Sequence, residues 1–380
     1  MAVLCPKGHP VRKLPSAQIF DQRPFDARGA LVDAIRVARP TVIIPGDERS
    51  LYAIHRLHKT GSDRQREIIS QSLGGPAGYA VTASRSRLLE VAKELGVATP
   101  DSAAVQDIAA LNRWMDGVPR PWVLKAEHSW GGMGVRVVET VAEAHRAFNE
   151  LRDQPTIMSA LKRSVVNQDS YWLADRLTGR PPRITVQTHV RGRPGDLAMF
   201  CENGKVMAVT MAELVASASE NGPATLVRLV EREDFMFAAT AIAKKLQLSG
   251  FYGLDFMIED RTNQALLLEL NPRPTALSNI RNAANDPISA AIHASSGCNP
   301  APCPVIPLGS VVACFPNAWA SSHRNPHFAD AAQDVPWNEP ALMEEMLLER
   351  WPDRRPLARC IAGSRHLVRR MKGASRSLAK

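Results

Sequence analysis

The sequence feature that most restricts the fold is a pair of hydrophobic segments, each of them interrupted by an acid. The segments are GLDFMIED at 253–260 and LLLELNPRP at 266–274, and the polar stretch RTNQ joins them. Alternating hydrophobic residues on both sides of a short polar turn predict an antiparallel hairpin. A turn centred on Thr262 places Asp255 directly opposite Glu269. The fold therefore has to accommodate two facing carboxylates in otherwise apolar strands.

This hairpin predicts a binding site for a divalent cation. Because side chains alternate between the faces of a strand, several residues should share one face. We expect that face to carry Gly253, Asp255 and Met257 from the first strand, and Leu267, Glu269 and Asn271 from the second. Like charges opposite each other destabilise a sheet, and Mg²⁺ prefers oxygen ligands. Asp255, Glu269 and Asn271 are therefore candidate ligands of Mg²⁺ or Mn²⁺. A solvent-facing hairpin with two unrelated acids is the alternative.

A second hairpin, in PWVLKAEHSWGGMGVRVVET, predicts a site for phosphate. Two β-type runs, 122–126 and 135–138, flank a loop that contains Gly131, Gly132 and Gly134. Glycines let backbone N–H groups approach an anion closely, and Lys125 would add a positive charge at the end of the first run. A glycine loop that binds no ligand stays open as the alternative.

Together these segments resemble the ATP-grasp superfamily, over roughly residues 85–300. SRSRLLEVAKELGVATP is similar to the start of the family's first subdomain, and VLKAEHSWGGMGV to the strand and loop that cover the phosphates. VQTHVRG resembles the hinge that holds adenine, and GLDFMIE with LLLELNPR resembles the strands that carry the metal ligands. The resemblance implies a fold in which two α+β subdomains clamp ATP.

The resemblance also implies a role for individual residues. It implies that the phosphates are held by Arg85, Lys125 and the loop glycines, the adenine by Gln187, His189 and Val190, the ribose by Asp196, and the metal by Asp255, Glu269 and Asn271. Gln187 stands where an acid is common in the family.

The implied activity is that of an ATP-dependent carboxylate–amine ligase, which forms an acylphosphate before an amine attacks. Arg273 would stabilise the acylphosphate and Arg281 would bind the substrate carboxylate. NPR followed by a helix is more similar to carbamoyl-phosphate synthase and biotin carboxylase than to D-alanine ligases. Two alternatives stay open: a bicarbonate-activating enzyme, and an ATP-binding protein without turnover. The implied partners are a small carboxylate and an amine.

The predicted architecture is α/β and α+β, in three parts. Residues 1–84 form a short α/β domain before the ATP-grasp fold, 85–300 form the two-subdomain ATP-grasp domain, and 301–380 form a helical extension. In the first part, TVIIP at 41–45 is expected to be a strand and Ser50 to begin the next helix. Glu48, in the intervening PGDERS, either binds an amine or serves the helix N-terminus.

Composition narrows the class of protein. The formal charge of +9 lies in residues 350–380, which hold ten Lys or Arg and one acid. A docked amphipathic helix at 356–371 is favoured there over contact with nucleic acid, an acidic partner or a membrane surface. Six scattered cysteines predict reduced thiols. No apolar run has the length of a membrane span, so we expect a cytoplasmic protein without an integral membrane segment. A homodimer stays open.

Overall fold

The computed structural model describes residues 1–23, 25–127, 134–153, 183–219, 222–281, 286–297, 305–321 and 325–348. Its helices are α1 (Ala27–Ala38), α2 (Glu48–Thr60), α3 (Asp63–Leu73), α4 (Tyr79–Thr82), α5 (Arg85–Glu94), α6 (Ile108–Met115), α7 (Val141–Arg152), α8 (Glu233–Leu246), α9 (Pro287–Ser296), α10 (Asn317–Ser321) and α11 (Pro340–Leu347). None of these helices has the length and hydrophobicity that crossing a bilayer requires.

The strands of the same ranges are β1 (Ala2–Cys5), β2 (Gln18–Asp21), β3 (Ser102–Val105), β4 (Trp122–Ala126), β5 (Val135–Val138), β6 (Ile184–Thr188), β7 (Gly192–Glu202), β8 (Lys205–Ser217), β9 (Ala224–Leu229), β10 (Gly250–Glu259), β11 (Ala265–Asn271), β12 (Val311–Cys314) and β13 (Ala332–Asp334). The mixture of helices with largely antiparallel sheets confirms the predicted fold class.

The chain forms two compact units. Of the described residues, those within 1–39 and 336–348 belong to one unit, and those within 40–153 and 183–335 belong to the other. In the first unit, β1 and β2 pair in parallel. Lys13 forms an ion pair with Glu345 of α11, with Nζ 3.9 Å from Oε2. The predicted site residues that the structure describes lie in the second unit. The domain boundaries at 84 and 300 stay a prediction.

A four-stranded sheet in the order β3–β6–β4–β5 forms the smaller half of the second unit. One of its faces packs on α6 and α7, where Leu124, Val186 and Phe148 are fully buried. The predicted runs 122–126 and 135–138 are both strands, and they pair antiparallel with each other. Alternation leaves Lys125 on the opposite face of β4.

A seven-stranded sheet in the order β11–β10–β7–β8–β9–β12–β13 forms the larger half. Its β10 and β11 form the predicted hairpin. Helix α8 covers one face, where the Phe235 and Phe256 rings stack with centroids 4.1 Å apart. Burying each such ring stabilises the fold by about 1.5–3 kcal/mol. The side chains of β10 that belong to this core, which include Leu254 and Phe256, point toward α8, and alternation leaves Asp255 on the opposite face.

Two local predictions for the N-terminal part were wrong. TVIIP forms no strand, because the backbone N–H of Ile43 donates to the Ser72 hydroxyl instead of to a strand partner. Helix α2 begins at Glu48, and Ser50 is not its first residue. Asp47 caps the helix by accepting from the Ser50 N–H, and the Ser50 hydroxyl reciprocates in a capping box.

Candidate active site

Three carboxylates lie side by side on neighbouring strands of the larger sheet. Asp255 on β10 is in register with Glu269 on β11, as the sequence predicts, and with Asp196 on β7. Gly253 is paired with Asn271, whose amide donates to the Asp255 carboxylate at 3.0 Å. Residues paired across strands share a face. We call Asp196, Asp255 and Glu269 the acid row.

The predicted common face is correct except for one residue. Between Asp255 and Phe256 the pairing shifts by one, so that Met257 lies opposite Leu266. The extra residue of this bulge reverses the alternation along β11. Leu267 therefore points into the hydrophobic core, where it is fully buried, and does not share the face of Glu269. Phe256 and Leu267 thus stay in the core, while Asp255 and Glu269 remain on the other face.

The acid row is electrostatically unfavourable without a cation. Burial raises the pKa of Asp255 well above its usual range, and repulsion from Asp196 and Glu269 raises it further. The amide of Asn271 and the charge of Arg273 act in the opposite direction. Burial alone raises the pKa of Asp196 to about 6. The resemblance implies a ribose contact for Asp196, which stays a prediction, but its position also makes it part of the acid row.

These donors fit a hard divalent cation. Within the described ranges, no three His, Cys, Asp or Glu side chains gather closely enough to hold a metal unaided. The predicted ligands are two carboxylates and an amide, and all three can offer oxygen atoms. Mg²⁺ keeps several waters and uses one or two carboxylates together with substrate phosphates. An incomplete protein shell of oxygen donors is therefore what Mg²⁺ bound together with a nucleotide requires.

Arg85 connects the two sheets at this site. It lies at the start of α5, with its side chain 7% exposed, and its Nη2 lies 2.7 Å from Glu269 Oε2. Its Nη1 donates to the backbone carbonyl of Ala126, at the end of β4, at 3.4 Å. The guanidinium thus links β11, which carries Glu269, to β4, which carries Lys125.

The sequence does not reveal why Arg85 is held so firmly. Glu127 is a buried carboxylate just after β4, and its Oε1 accepts from the hydroxyls of Ser84 and Ser86 and from the Ser86 N–H. These bonds fix the residues on both sides of Arg85. Lys125 and Glu127 are two residues apart, so alternation could have placed Glu127 on the same face as the lysine.

Lys125 is a buried cation. It is 7% exposed, and burial together with the charge of Arg85 lowers its pKa to about 8, although Glu269 and Asp255 oppose this change. A buried ammonium whose charge is incompletely compensated favours an anionic ligand. This environment suits the predicted role in binding phosphate, which stays a prediction.

The predicted hinge segment, which begins in β6, lies beside Lys125 on the smaller sheet. Thr185 and Gln187 of β6 pair with Lys125 and Val123 of β4, so they share the lysine's face. The N–H groups of Thr188 and His189 bond to the carbonyls of Asp101 and Pro121. In the described part of the chain, the N–H of Val190 has no such bond and could donate to a base.

Arg273 and Arg281 both have acidic partners. The Nε of Arg273 lies 3.0 Å from Oε1 of Glu48 in α2, and its Nη2 donates to Asn271 Oδ1 at 3.4 Å. Glu48 therefore orients a predicted catalytic residue, a contact that neither sequence interpretation of Glu48 anticipated. Arg281 lies 3.1 Å from Asp286, which is buried and caps α9. The predicted catalytic roles of both arginines stay predictions.

Part of the predicted site lies outside the described residues. This applies to Gly131 and Gly132 of the phosphate loop and to the basic segment 351–380. Gly134 is described, and its carbonyl accepts from the Ala126 N–H at 2.9 Å. Of the cysteines in the described ranges, Cys5, Cys201 and Cys314 are buried and free.

Comparison with known protein families identifies this arrangement. Residues 82–277, just over half of the chain, match the ATP-grasp domain. The chain belongs to the ATP-grasp family. This membership confirms the resemblance inferred from the hairpin and the glycine loop. A comparison with curated protein sequences finds no match.

Solved structures share the fold of this ATP-grasp chain. The biotin carboxylase domain of Hydrogenobacter thermophilus 2-oxoglutarate carboxylase, solved with MgADP and bicarbonate, is 14% identical with a TM-score of 0.58, and the match covers 79% of this chain and 64% of that one. Campylobacter jejuni biotin carboxylase is 14% identical with a TM-score of 0.55, over 79% and 66% of the two chains. This chain therefore spans just under two thirds of these two structures.

A third structure is matched over more of its own length. It is N5-carboxyaminoimidazole synthase from Aspergillus clavatus in complex with ADP and an aminoimidazole ribonucleotide. The identity is 14% and the TM-score 0.58, over 82% of this chain and 73% of that one. At these identities the likeness establishes the fold and leaves the substrate open.

Proposed function

We propose that this ATP-grasp chain is an ATP- and Mg²⁺-dependent ligase that joins a carboxylate to an amine through an acylphosphate. The observation that carries the proposal is the acid row facing Lys125 and linked to it through Arg85. Oxygen donors for a divalent cation and two cations for phosphate meet at one place. Family membership supports the use of ATP.

Each part of the site has an assigned ligand. Asp255, Glu269 and Asn271 would hold Mg²⁺ or Mn²⁺, which when bound offsets the negative charge of the phosphates. Arg85, Lys125 and the loop glycines would hold the phosphates. Gln187, His189 and Val190 would hold adenine, and Asp196, next to Asp255 in the acid row, would hold the ribose.

The first step is phosphoryl transfer. A substrate carboxylate oxygen attacks the γ-phosphorus in line, the bond to the β-phosphate oxygen breaks, and ADP leaves. The protein contributes alignment and charge, because this transfer needs little covalent help from protein groups. Arg273, oriented by Glu48, would hold an oxygen of the acylphosphate, and Arg281 would orient the incoming carboxylate. The loop 127–134 would exclude water that could hydrolyse this intermediate.

The second step forms the C–N bond. The amine nitrogen attacks the carbonyl carbon, the C–O bond to phosphate breaks, and inorganic phosphate leaves. The nitrogen loses one proton, which phosphate or solvent accepts. The products are an amide, ADP and phosphate.

A second candidate replaces the carboxylate with bicarbonate. The observation that favours it is the fold shared with a biotin carboxylase domain whose structure contains MgADP and bicarbonate. The chemistry of the first step would be unchanged, because bicarbonate also offers an oxygen nucleophile.

The test measures binding and turnover separately. We expect MgADP to raise the melting temperature of the wild type, and Glu269→Gln to remove most of that increase, since a ligand specific to the folded state stabilises it. We then expect phosphate release from ATP with one pool among paired pools of carboxylates and amines. Lys245→Met, at an exposed position of α8, serves as the control and should behave as the wild type.

Each outcome has a defined meaning. No shift with MgADP in the wild type would contradict the proposal. Phosphate release that needs bicarbonate but no other carboxylate would favour the second candidate. A shift without phosphate release from any pool, with bicarbonate included, would indicate an ATP-binding protein without turnover.

A further inference from the structure

A row of unsatisfied polar atoms follows strand β6 and the residue beyond it. Thr185 Oγ1, Gln187 Oε1 and His189 Nδ1 are buried, and in the described part of the chain none has a hydrogen-bond partner. Thr185 is 1% exposed and Gln187 is 3% exposed. Because these residues occupy alternating positions, they share one face of the strand. The neighbouring residues Ile184 and Val186, on the other face of the strand, point into the hydrophobic core.

Such a row requires an explanation, because buried polar groups are normally paired. Leaving a buried hydroxyl or amide without a partner destabilises the folded state. Native proteins therefore contain few of these groups, and a bound ligand is one of the reasons that they persist. In the described ranges only three other residues have such an atom, namely Arg85, Thr99 and Thr275. Four of the six residues thus lie in the site described above.

Thr185 lies at the end of this row that is beside Lys125. It is in register with Lys125, while Gln187 one step nearer the hinge is in register with Val123. An acceptor, the Gln187 amide oxygen, therefore lies at the hinge end, and a hydroxyl lies directly beside the buried ammonium. A hydroxyl can donate as well as accept. The ammonium of Lys125 attracts hydrogen-bond acceptors of a ligand. The neighbouring Thr185 hydroxyl is therefore placed to donate to such an acceptor as well.

We propose that Thr185 is a nucleotide-binding residue whose hydroxyl donates to an acceptor of a bound purine nucleotide beside Lys125. The inference rests on the proposed function, because it presumes that the nucleotide occupies this face of β6. The acceptor is either the ring nitrogen N7 or an oxygen of the α-phosphate. Both present the same chemistry to the hydroxyl, and they can be distinguished with an altered nucleotide.

The main variant is Thr185→Val, which keeps the shape and removes the hydroxyl. We expect it to weaken ADP binding about tenfold, the effect of losing one good hydrogen bond. We also expect a melting temperature at or above that of the wild type in the absence of nucleotide, because the removed group is unsatisfied. Thr185→Ser restores the hydroxyl and should recover most of the affinity. Isothermal titration calorimetry and thermal unfolding measure the two effects.

The matched control is Thr210→Val. Thr210 is equally buried, but its hydroxyl donates to the Ile280 carbonyl at 3.0 Å. Removing this hydroxyl should lower the melting temperature and leave the ADP affinity within twofold of the wild type. The two threonines should therefore show opposite patterns of stability and binding.

The second probe is 7-deaza-ADP, which lacks the ring nitrogen acceptor. A loss with ADP but not with 7-deaza-ADP assigns the Thr185 hydroxyl to N7, and an equal loss with both assigns it to the phosphate. Unchanged ADP affinity in Thr185→Val overturns the inference, as does a drop in melting temperature as large as that of Thr210→Val. Failure of the wild type to bind ADP would contradict the proposed function itself and is thereby distinguished.

Discussion

Lys125→Met should make the unliganded protein more stable. The pKa of Lys125 is lowered from 10.5 to about 8, chiefly by burial. A difference of this size corresponds to about 3 kcal/mol by which the buried charge destabilises the folded state at neutral pH. Methionine keeps the apolar stem and removes the charge. At pH 7 we therefore expect the free energy of unfolding to rise by about 2–3 kcal/mol.

The pH dependence gives the sharper test. Because the folded pKa is the lower one, the unfolded chain binds more protons between about pH 8 and 10.5. The destabilisation of the folded state by the buried charge is complete below this pH range, and it disappears as the pH rises through the range. The stability advantage of Lys125→Met over the wild type should therefore be largest at pH 7 and approach zero near pH 10.5.

Urea unfolding followed by circular dichroism at pH 7, 9 and 10 measures this advantage. The exposed Lys245→Met should change stability by less than about 0.5 kcal/mol at each pH. A Lys125→Met variant that is less stable than the wild type at pH 7 would refute the reasoning, since the ammonium would then be well compensated. The same variant should lose the stabilisation by MgADP, so that stability and binding change in opposite directions.

Three further predictions concern other groups of the second unit. Glu127→Ala should lower the free energy of unfolding by about 2–3 kcal/mol in urea titrations, because it leaves the buried Ser84 and Ser86 without their acceptor. Asp255→Asn should raise the melting temperature in EDTA by removing repulsion in the acid row, and should abolish the shift by MgADP. Burial lowers the pKa of His55 from 6.5 to about 4, so the unfolded chain binds more protons than the folded one between these pH values. Stability should therefore fall as the pH is lowered from 6.5 to 4, and His55→Phe should flatten this dependence in thermal unfolding.

The elements that carry the candidate site were predictable from the sequence because local signals specify them. Alternation on both sides of RTNQ predicted the pairing of Asp255 with Glu269, and the structure has this register. TVAE at 140–143 carries the sequence pattern of a capping box, and Thr140 and Glu143 form this box at the start of α7. The signals that failed were those that depend on tertiary partners. TVIIP has the β-branched composition of a strand, but the backbone N–H of its Ile43 donates to the hydroxyl of Ser72 in α3.

The contacts between distant segments could not be read from the sequence. The bulge that turns Leu267 into the core depends on how β11 meets the rest of the sheet. Glu48 reaches Arg273 from a distant segment, and spacing along the chain carries no information about such a contact. For Thr185, alternation relative to Gln187 is the signal that could have revealed it.

The bond between Arg85 and Glu269 affects the order in which ligands bind. At 2.7 Å the guanidinium already neutralises a carboxylate that the metal would use, so a free divalent ion has to compete with a tethered cation. Under the proposed function, a polyphosphate would offer that guanidinium other oxygens and so free the carboxylate. Each ligand would then remove an obstacle to the other, and by reciprocity the two affinities would rise together. Magnesium alone should therefore bind weakly, and the magnesium–nucleotide complex should enter as a unit.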